Sequence, residues 1–266
     1  MKALHIKDSS FSHCIYSNNP TPPVTISKTI NWIRNEQKSS KETIYTDQHL
    51  NECNGGIGWL LEPYDMQAHN YEYVKVYKDK FKAIWTHEKV LLDNLPNAKF
   101  VPHGGCWIKE EDRKLHSKTK NFSIIASNKN LLPGHKLRHL IVKGAGNKVD
   151  AYGSGYRPVL NKIEGLKDYR YHFAIENSKR DFYFTEKLID SLVTGAIPIY
   201  WGCPSINKFF NSDGFIIFND LLELKDKLKL CTEEYYNSKS NAIKENFERA
   251  QEYLLTEDWL TKNNVI

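Results

Sequence analysis

The sequence predicts an α/β protein built from two Rossmann-like domains with a ligand cleft between them. Three observations carry that prediction. Short apolar runs rich in β-branched and aromatic residues alternate with longer amphipathic stretches, the rhythm of βα units around a mainly parallel sheet. A loop rich in glycine and charge interrupts this rhythm after residue 101, and the pattern then restarts. At 266 residues, the chain also exceeds the length that one hydrophobic core usually serves.

Taken in order, residues 4–6 read as a strand, 24–35 as a helix, 43–46 as a strand, and 57–61 as a strand that ends at Glu62-Pro63. Residues 66–81 follow as a helix, 83–86 as a strand, 87–92 as a short helix and 99–101 as the last strand of the first half. The loop that opens with Pro102, His103, Gly104, Gly105, Cys106 and Trp107 and runs to about residue 120 reads as the interdomain linker. The expected domains are therefore 1–115 and 116–266. In the second, residues 122–126, 149–152, 171–176, 197–201 and 215–218 read as strands. Residues 134–143, 185–193, 221–230 and 242–255 read as helices, the last a candidate to cross back to the first domain.

Composition narrows the function. A formal charge of +5 is spread along the chain instead of gathered in a basic block, which argues against a nucleic-acid partner and suits a small anion equally well. The five cysteines, Cys14, Cys53, Cys106, Cys203 and Cys231, are far apart and form no Cys-x-x-Cys pair, so buried thiols are expected in place of zinc or redox chemistry. No stretch approaches the ~20 apolar residues of a membrane span, and the first residues lack the apolar core of a signal peptide. The expectation is a cytoplasmic protein with no transmembrane segment.

The chemistry of such folds lies at strand-to-helix turns. From Tyr169 an aromatic and apolar run leads into Glu176-Asn177, a loop carries Tyr183, Thr185-Glu186-Lys187 opens a helix, and a strand with Pro198 runs into Gly202. Thr185 is a good N-cap, Leu188, Ile189, Leu192 and Val193 form one apolar face, and Gly195 suits the left-handed position after the helix. A helix opening in a cleft presents unpaired N–H groups and roughly half an elementary charge, to which Lys187 adds a full one. Taken alone, Glu186 and Lys187 also read as an ordinary solvated first turn. Glu176 tips the balance, because a carboxylate that closes an apolar run must reach a cleft or be paired.

This segment resembles the donor-binding motif of the family 10 α1,3/4-fucosyltransferases over about fifty residues, with the spacing from Asn177 to Lys187 retained. Weaker likeness extends to Ser127-Asn128, Arg138 and Glu62. The resemblance implies a GT-B fold, GDP-fucose as donor, a glycan acceptor, inverting transfer, and no required cofactor or metal. On that reading Asn177, Tyr183, Glu186 and Lys187 line the donor site, with Glu186 on donor hydroxyls, Lys187 on phosphates, and Glu176 and Thr185 in support. A transferase using another nucleotide sugar, or an inactive sugar- or nucleotide-binding relative, would keep the same motif.

A second phosphate cradle is offered by the strand, turn and helix start of residues 124–138. Arg138 there looks like the family's phosphate-binding arginine, its planar fork suited to phosphate oxygens, with Lys136 as a substitute and a surface arginine as the plain alternative. The sequence has no Asp-x-Asp pair to hold a divalent cation, so cationic side chains are expected to stabilise the leaving group. Inverting transfer needs a base for the acceptor hydroxyl, and Glu62 at its strand end is the candidate, with Glu88 in reserve and a structural strand-end glutamate as the alternative. His103, Trp107, Tyr200 and Trp201 read either as sugar-stacking rings or as core.

Overall fold

The computed structural model describes residues 1–9, 27–36 and 38–266. Cys14 and the first three residues of the expected 24–35 helix lie outside the described residues. The chain divides into two units: Met1–Gly105 with Arg180–Tyr183 and Leu255–Ile266, and Cys106–Lys179 with Phe184–Leu254.

The first unit is a parallel sheet of β1 (Lys2–Lys7), β2 (Ile30–Arg34), β3 (Thr43–Thr46), β4 (Ile57–Trp59), β5 (Ala83–Thr86) and β6 (Ala98–Phe100), in the order β2-β1-β3-β4-β5-β6. Helices α1 (Tyr64–Val76) and α2 (Lys89–Asn94) carry crossovers between successive strands. A core of Tyr45, Leu50, Leu60, Tyr71, Val74 and Ile84 packs within this unit. Trp59 and Trp85 stand opposite each other in register, and Trp32, Trp59 and Trp85 form a ring series at 6.1 and 5.5 Å.

Residues 30–34 correct the expected helix. They form β2, parallel to β1, with Lys2 opposite Ile30 and Ile6 opposite Arg34. Ile30 and Trp32 are buried while Asn31 is exposed, a period of two that the longer 24–35 window blurred. Ile30, Trp32 and Ile33 are also better strand than helix formers, and pairing with β1 uses that preference.

The second unit is a parallel sheet of β7 (Lys120–Ile125), β8 (Asp150–Tyr152), β9 (Tyr169–Ile175), β10 (Ile197–Trp201) and β11 (Ile216–Ile217), in the order β11-β10-β9-β7-β8. Its helices are α3 (Pro133–Ala145), α4 (Glu186–Leu192), α5 (Leu221–Lys227), α6 (Glu233–Ser238) and α7 (Ser240–Ala250). All seven residues of central β9 are buried, as befits a strand covered on both faces. Tyr171, Phe173 and Ile175 join Ile141, Ile197 and Ile199 in one core cluster. Ala174 joins Leu188, Ile189, Leu192, Val193 and Tyr200 in another, so the apolar face of α4 and the alternation of β9 meet as the pattern requires.

The final helix, α8 (Thr256–Lys262), belongs to the first unit. Thr256 Oγ1 donates to the His103 carbonyl at 2.8 Å, and Trp32 Nε1 donates to Glu257 Oε1 at 2.9 Å. Glu257 Oε2 is buried without a hydrogen-bond partner. Cys53, Cys106, Cys203 and Cys231 are buried thiols. Among the described residues, no helix is long and apolar enough to cross a membrane.

Burial pushes the Glu257 carboxyl up to about 8, with the Trp32 bond opposing it. The folded carboxyl therefore keeps its proton up to about 8, whereas the unfolded one releases it near 4.5. Stability contributed by that proton is present in full below 4.5 and declines as pH rises through 8, by roughly 3–5 kcal/mol across the window. Glu257→Gln keeps an acceptor for Trp32 and removes the titration. In denaturant melts from pH 5 to 9, the variant is expected to gain stability relative to the wild type as pH rises, and parallel curves would contradict the assignment.

Candidate functional site

Numbered from β7, the second sheet runs second, first, third, fourth, fifth, so its order reverses between β7 and β9. Connections leave in opposite directions on either side of such a point and open a crevice beyond the carboxyl ends of the strands. A pocket of about 240 Å³ lies there. Ile125, Ser127 and Lys129 come from the end of β7 and the loop after it, His135 and Arg138 from α3, and Phe173, Ile175 and Asn177 from the end of β9. Glu186, Lys187 and Asp190 come from α4, and Lys162, Leu166 and His172 complete the lining.

Backbone geometry brings these parts together. The Gly134 N–H donates to the Asn177 carbonyl at 3.0 Å, seating the first turn of α3 on the turn after β9. A Cβ at Gly134 would stand 1.7 Å from the Glu176 carbonyl oxygen, so only glycine permits this approach. Arg138 is buried and donates from Nε and Nη2 to the Ile175 carbonyl at 3.1 and 2.7 Å, and from Nη2 to Asn177 Oδ1 at 2.8 Å. Its guanidinium thus holds the end of β9 while bordering the pocket.

Glu176 is not among the residues that line the pocket and is fully buried. Its Oε1 accepts the Thr185 N–H at 2.9 Å and its Oε2 the Thr185 hydroxyl at 2.6 Å. Burial raises this carboxyl, opposed first by the Lys187 charge. Thr185 Oγ1 in turn accepts from the backbone N–H of Lys187 at 3.4 Å and from Lys187 Nζ at 3.1 Å. Lys187 Nζ also lies 2.9 Å from Glu186 Oε1, which in turn sits 3.8 Å from Lys162 Nζ. Lys162 bonds Asp190 Oδ2 at 3.0 Å, and Asp190 Oδ1 accepts the Trp107 N–H at 2.7 Å.

The lining carries four cations, Lys129, Arg138, Lys162 and Lys187, against two carboxylates, Glu186 and Asp190, a positive excess. His135 registers that field. Burial, then Arg138, Lys129 and Lys187, lower its imidazole to about 4, so it is neutral at physiological pH and its Nδ1 accepts the Leu132 N–H at 3.2 Å. His172 is likewise lowered to about 3, by burial and then by Lys162 and Lys118. Among the described residues, no group of three or more His, Cys, Asp or Glu side chains is arranged to hold a metal ion.

Of the residues singled out in the sequence, Arg138, Asn177, Glu186 and Lys187 line this pocket, and Glu176 and Thr185 stand behind it. Lys136 is exposed and outside the lining. Tyr183 belongs to the first unit, buried with its ring 4.9 Å from His87 and 6.0 Å from His103. Glu62, half-buried, follows β4 in the first unit; Glu88 precedes α2 there and lies 3.5 Å from Arg180. Tyr200 is core, its hydroxyl accepting the Cys203 N–H at 3.0 Å. Trp201 packs on the core formed by β9 and β10, and Trp107 carries Lys162 over its ring at 5.4 Å. Sequence reasoning missed Lys162, His172 and Asp190. Only Asp190 had a local signal, being one helical turn beyond Glu186.

Two parallel α/β units of this kind are the GT-B fold of glycosyltransferases. The chain belongs to glycosyltransferase family 10 (fucosyltransferase), whose C-terminal model matches residues 115–257. It is 36% identical over 88 residues to the α-(1,3)-fucosyltransferase FucT of Helicobacter pylori, covering 33% of this chain and 18% of that one. It is 34% identical over 91 residues to the human 4-galactosyl-N-acetylglucosaminide 3-α-L-fucosyltransferase FUT6, covering 32% and 25%. The matched stretches thus span a quarter or less of these relatives' own lengths. An α1,3-fucosyltransferase solved with GDP superposes with a TM-score of 0.57 at 17% identity, covering 99% of this chain and 90% of that one. Anabaena HepE with UDP superposes with a TM-score of 0.59 at 8% identity, covering 100% and 99%, which extends the likeness of fold.

The contact at Gly134 yields a prediction. Gly134→Ala must separate α3 from β9 by moving backbone, at a stability cost of roughly 1–3 kcal/mol. Chemical denaturation is expected to show that loss. Gly144→Ala on the same helix, where the added Cβ meets nothing within 4 Å beyond the neighbouring backbone of its own helix, should be neutral or stabilising. Equal behaviour of the two variants would contradict the account.

Proposed function

We propose that this chain is an inverting, metal-independent transferase that moves a fucosyl group from GDP-fucose to a glycan hydroxyl. The observation that carries the reading is the cation-rich pocket at the switch point of the second sheet, within the stretch matched by the family model. A sugar-linked diphosphate is an anion of suitable size and charge for it. Family membership and relatives that act as fucosyltransferases favour GDP-fucose over other nucleotide sugars.

In this mechanism Arg138 and Lys187 hold the diphosphate, and Glu186 accepts from donor hydroxyls. The bond from the anomeric carbon to the phosphate oxygen breaks as the acceptor oxygen attacks the opposite face. Negative charge gathers on the departing GDP, where fixed cations favour the transition state over the ground state. Glu62 of the first unit takes the proton of the attacking hydroxyl. The first unit binds the acceptor and the second the donor.

The discriminating experiment is thermal stabilisation by GDP, UDP, CMP and TDP in parallel. A nucleotide at about a hundred times its Kd stabilises by about 2.7 kcal/mol, and GDP is expected to act alone or most strongly. A larger shift with UDP would redirect the donor assignment. Arg138→Ala and Lys187→Ala should each weaken GDP by about 10–100-fold, the range for losing a charged hydrogen bond. Glu62→Gln should leave GDP binding intact and lower transfer from GDP-fucose to 4-galactosyl-N-acetylglucosaminide by about 10²–10⁴-fold. Transfer undiminished by Glu62→Gln would remove that residue as base, and a rate abolished by EDTA would remove metal independence.

A further inference from the structure

Strand β4 ends at Trp59, yet the next three residues are held as firmly as a strand. The Leu60 N–H donates to the Trp85 carbonyl of β5 at 2.9 Å. The Leu61 N–H donates to Asp47 Oδ1 at 3.0 Å, and the Glu62 carbonyl accepts the Tyr71 hydroxyl of α1 at 2.6 Å. Three successive residues are thus fixed by three different elements: a neighbouring strand, the turn after β3, and the helix that follows Pro63. All of these belong to the first unit.

Asp47 is an unusual residue to spend on a backbone amide. It is buried, and its φ of +30° places it in the left-handed region that side-chain-bearing residues seldom occupy. It opens a short 3-10 turn (Asp47–Glu52), but its carboxylate reaches across to the segment that follows β4. Backbone strain and a buried carboxylate are both unfavourable by themselves, and such combinations persist where they place something. Tyr71 is equally committed: its ring is fully buried 5.5 Å from that of Tyr64, and its hydroxyl meets the Glu62 carbonyl.

We infer that Asp47 and Tyr71 are positioning residues for Glu62, Asp47 anchoring the backbone one peptide before it through the Leu61 N–H and Tyr71 the carbonyl that follows its Cα. The inference rests on the reading of Glu62 as the base for the acceptor hydroxyl. A base must hold its carboxylate within hydrogen-bond reach of the proton it removes, and a backbone shift of about 1 Å is enough to cost about 10²-fold in rate. Neither residue touches substrate in this account; each acts through Glu62.

The test compares Asp47→Ala, Asp47→Asn and Tyr71→Phe, alone and combined with Glu62→Ala, in transfer from GDP-fucose to 4-galactosyl-N-acetylglucosaminide and in donor hydrolysis. Asp47→Ala and Tyr71→Phe are expected to lower kcat by about 10-fold or more with donor KM within about threefold, and Asp47→Asn, which keeps an acceptor oxygen, should recover part of the rate. In the Glu62→Ala background, neither change should lower the residual rate further, because residues that act through one another do not add. Hydrogen exchange at the Leu61 amide should accelerate in Asp47→Ala, while GDP binding reports that the second unit is intact. Unchanged kcat in both single variants, additive losses in the double variants, or unchanged Leu61 exchange would each overturn the inference. A wild type that turns over while Glu62→Ala retains its rate would instead overturn the base assignment, and a wild type with neither transfer nor hydrolysis would overturn the fucosyl-transfer reading itself.

Discussion

The second unit depends on the end of β9. There the Ile175 carbonyl accepts two donors from Arg138, the Glu176 N–H donates to the Trp201 carbonyl at 2.9 Å, and the Asn177 carbonyl accepts the Gly134 N–H. Three successive residues therefore tie together β10, α3 and, through the Glu176 carboxylate on Thr185, the start of α4. A buried carboxylate is unfavourable unless its oxygens are satisfied, and here both are. The space is correspondingly closed: a Cβ at Gly202 would lie 2.5 Å from Glu176 Cγ, as one at Gly134 would strike the Glu176 carbonyl. The walls of the pocket converge on one strand end, and pairs within its lining, Arg138 with Asn177 and Lys162 with Asp190, add to that frame.

The two sheets solve the same problem twice. Each reverses its strand order beside the first strand of the unit, between β1 and β3 in one and between β7 and β9 in the other. In the second unit the crevice is lined by cations. In the first, the strand ends carry carboxylates: Asp8 after β1, paired with Arg34 at 2.6 Å, and Asp47 after β3. Burial pushes Asp47 up to about 7, the Leu61 amide and then the Glu62 charge acting in opposite directions on it. One topology thus carries different chemistry in the two units, according to which side chains stand at the turns.

The sequence disclosed those parts whose physics is local. The apolar runs at β9 and β10, the N-cap at Thr185, and the face Leu188, Ile189, Leu192 and Val193 all rest on neighbours within a few residues, and each is found where the pattern put it. Strand β2 was not legible because a run containing Ile30, Trp32 and Ile33 fits both periods, and the choice is made by β1, more than twenty residues away. Lys162 and His172 were equally hidden. Lys162 enters the pocket from a 3-10 turn (Lys162–Gly165) far in sequence from its partner Asp190, and His172 interrupts an apolar strand in which a polar residue reads as an exception until Ser123 Oγ is found 2.8 Å away. Glu176 was legible only as a question. The sequence showed that a carboxylate must be paired or face a cleft, and the answer, pairing with Thr185, required the turn between them to fold back.

The charge arrangement in the pocket also explains why an excess of cations there need not be self-defeating. Lys187 is held by Thr185 Oγ1 and Glu186 Oε1, and Lys162 by Asp190, so each of these two ammonium groups has an acceptor. With its side chain 23% exposed, the Lys187–Glu186 pair is a partly solvated one whose net contribution is small, of order 0–1 kcal/mol. On the proposed reading, a diphosphate carrying more than one negative charge can therefore recruit the Lys187 ammonium from Glu186 at little loss. On that reading the Glu186 carboxylate, still 3.8 Å from Lys162, is an acceptor beside the bound donor, able to take hydroxyl hydrogens that no cation could. On that same proposed reading, the adjacent Glu186 and Lys187, which taken alone read as an ordinary first helical turn, serve opposite ends of one ligand.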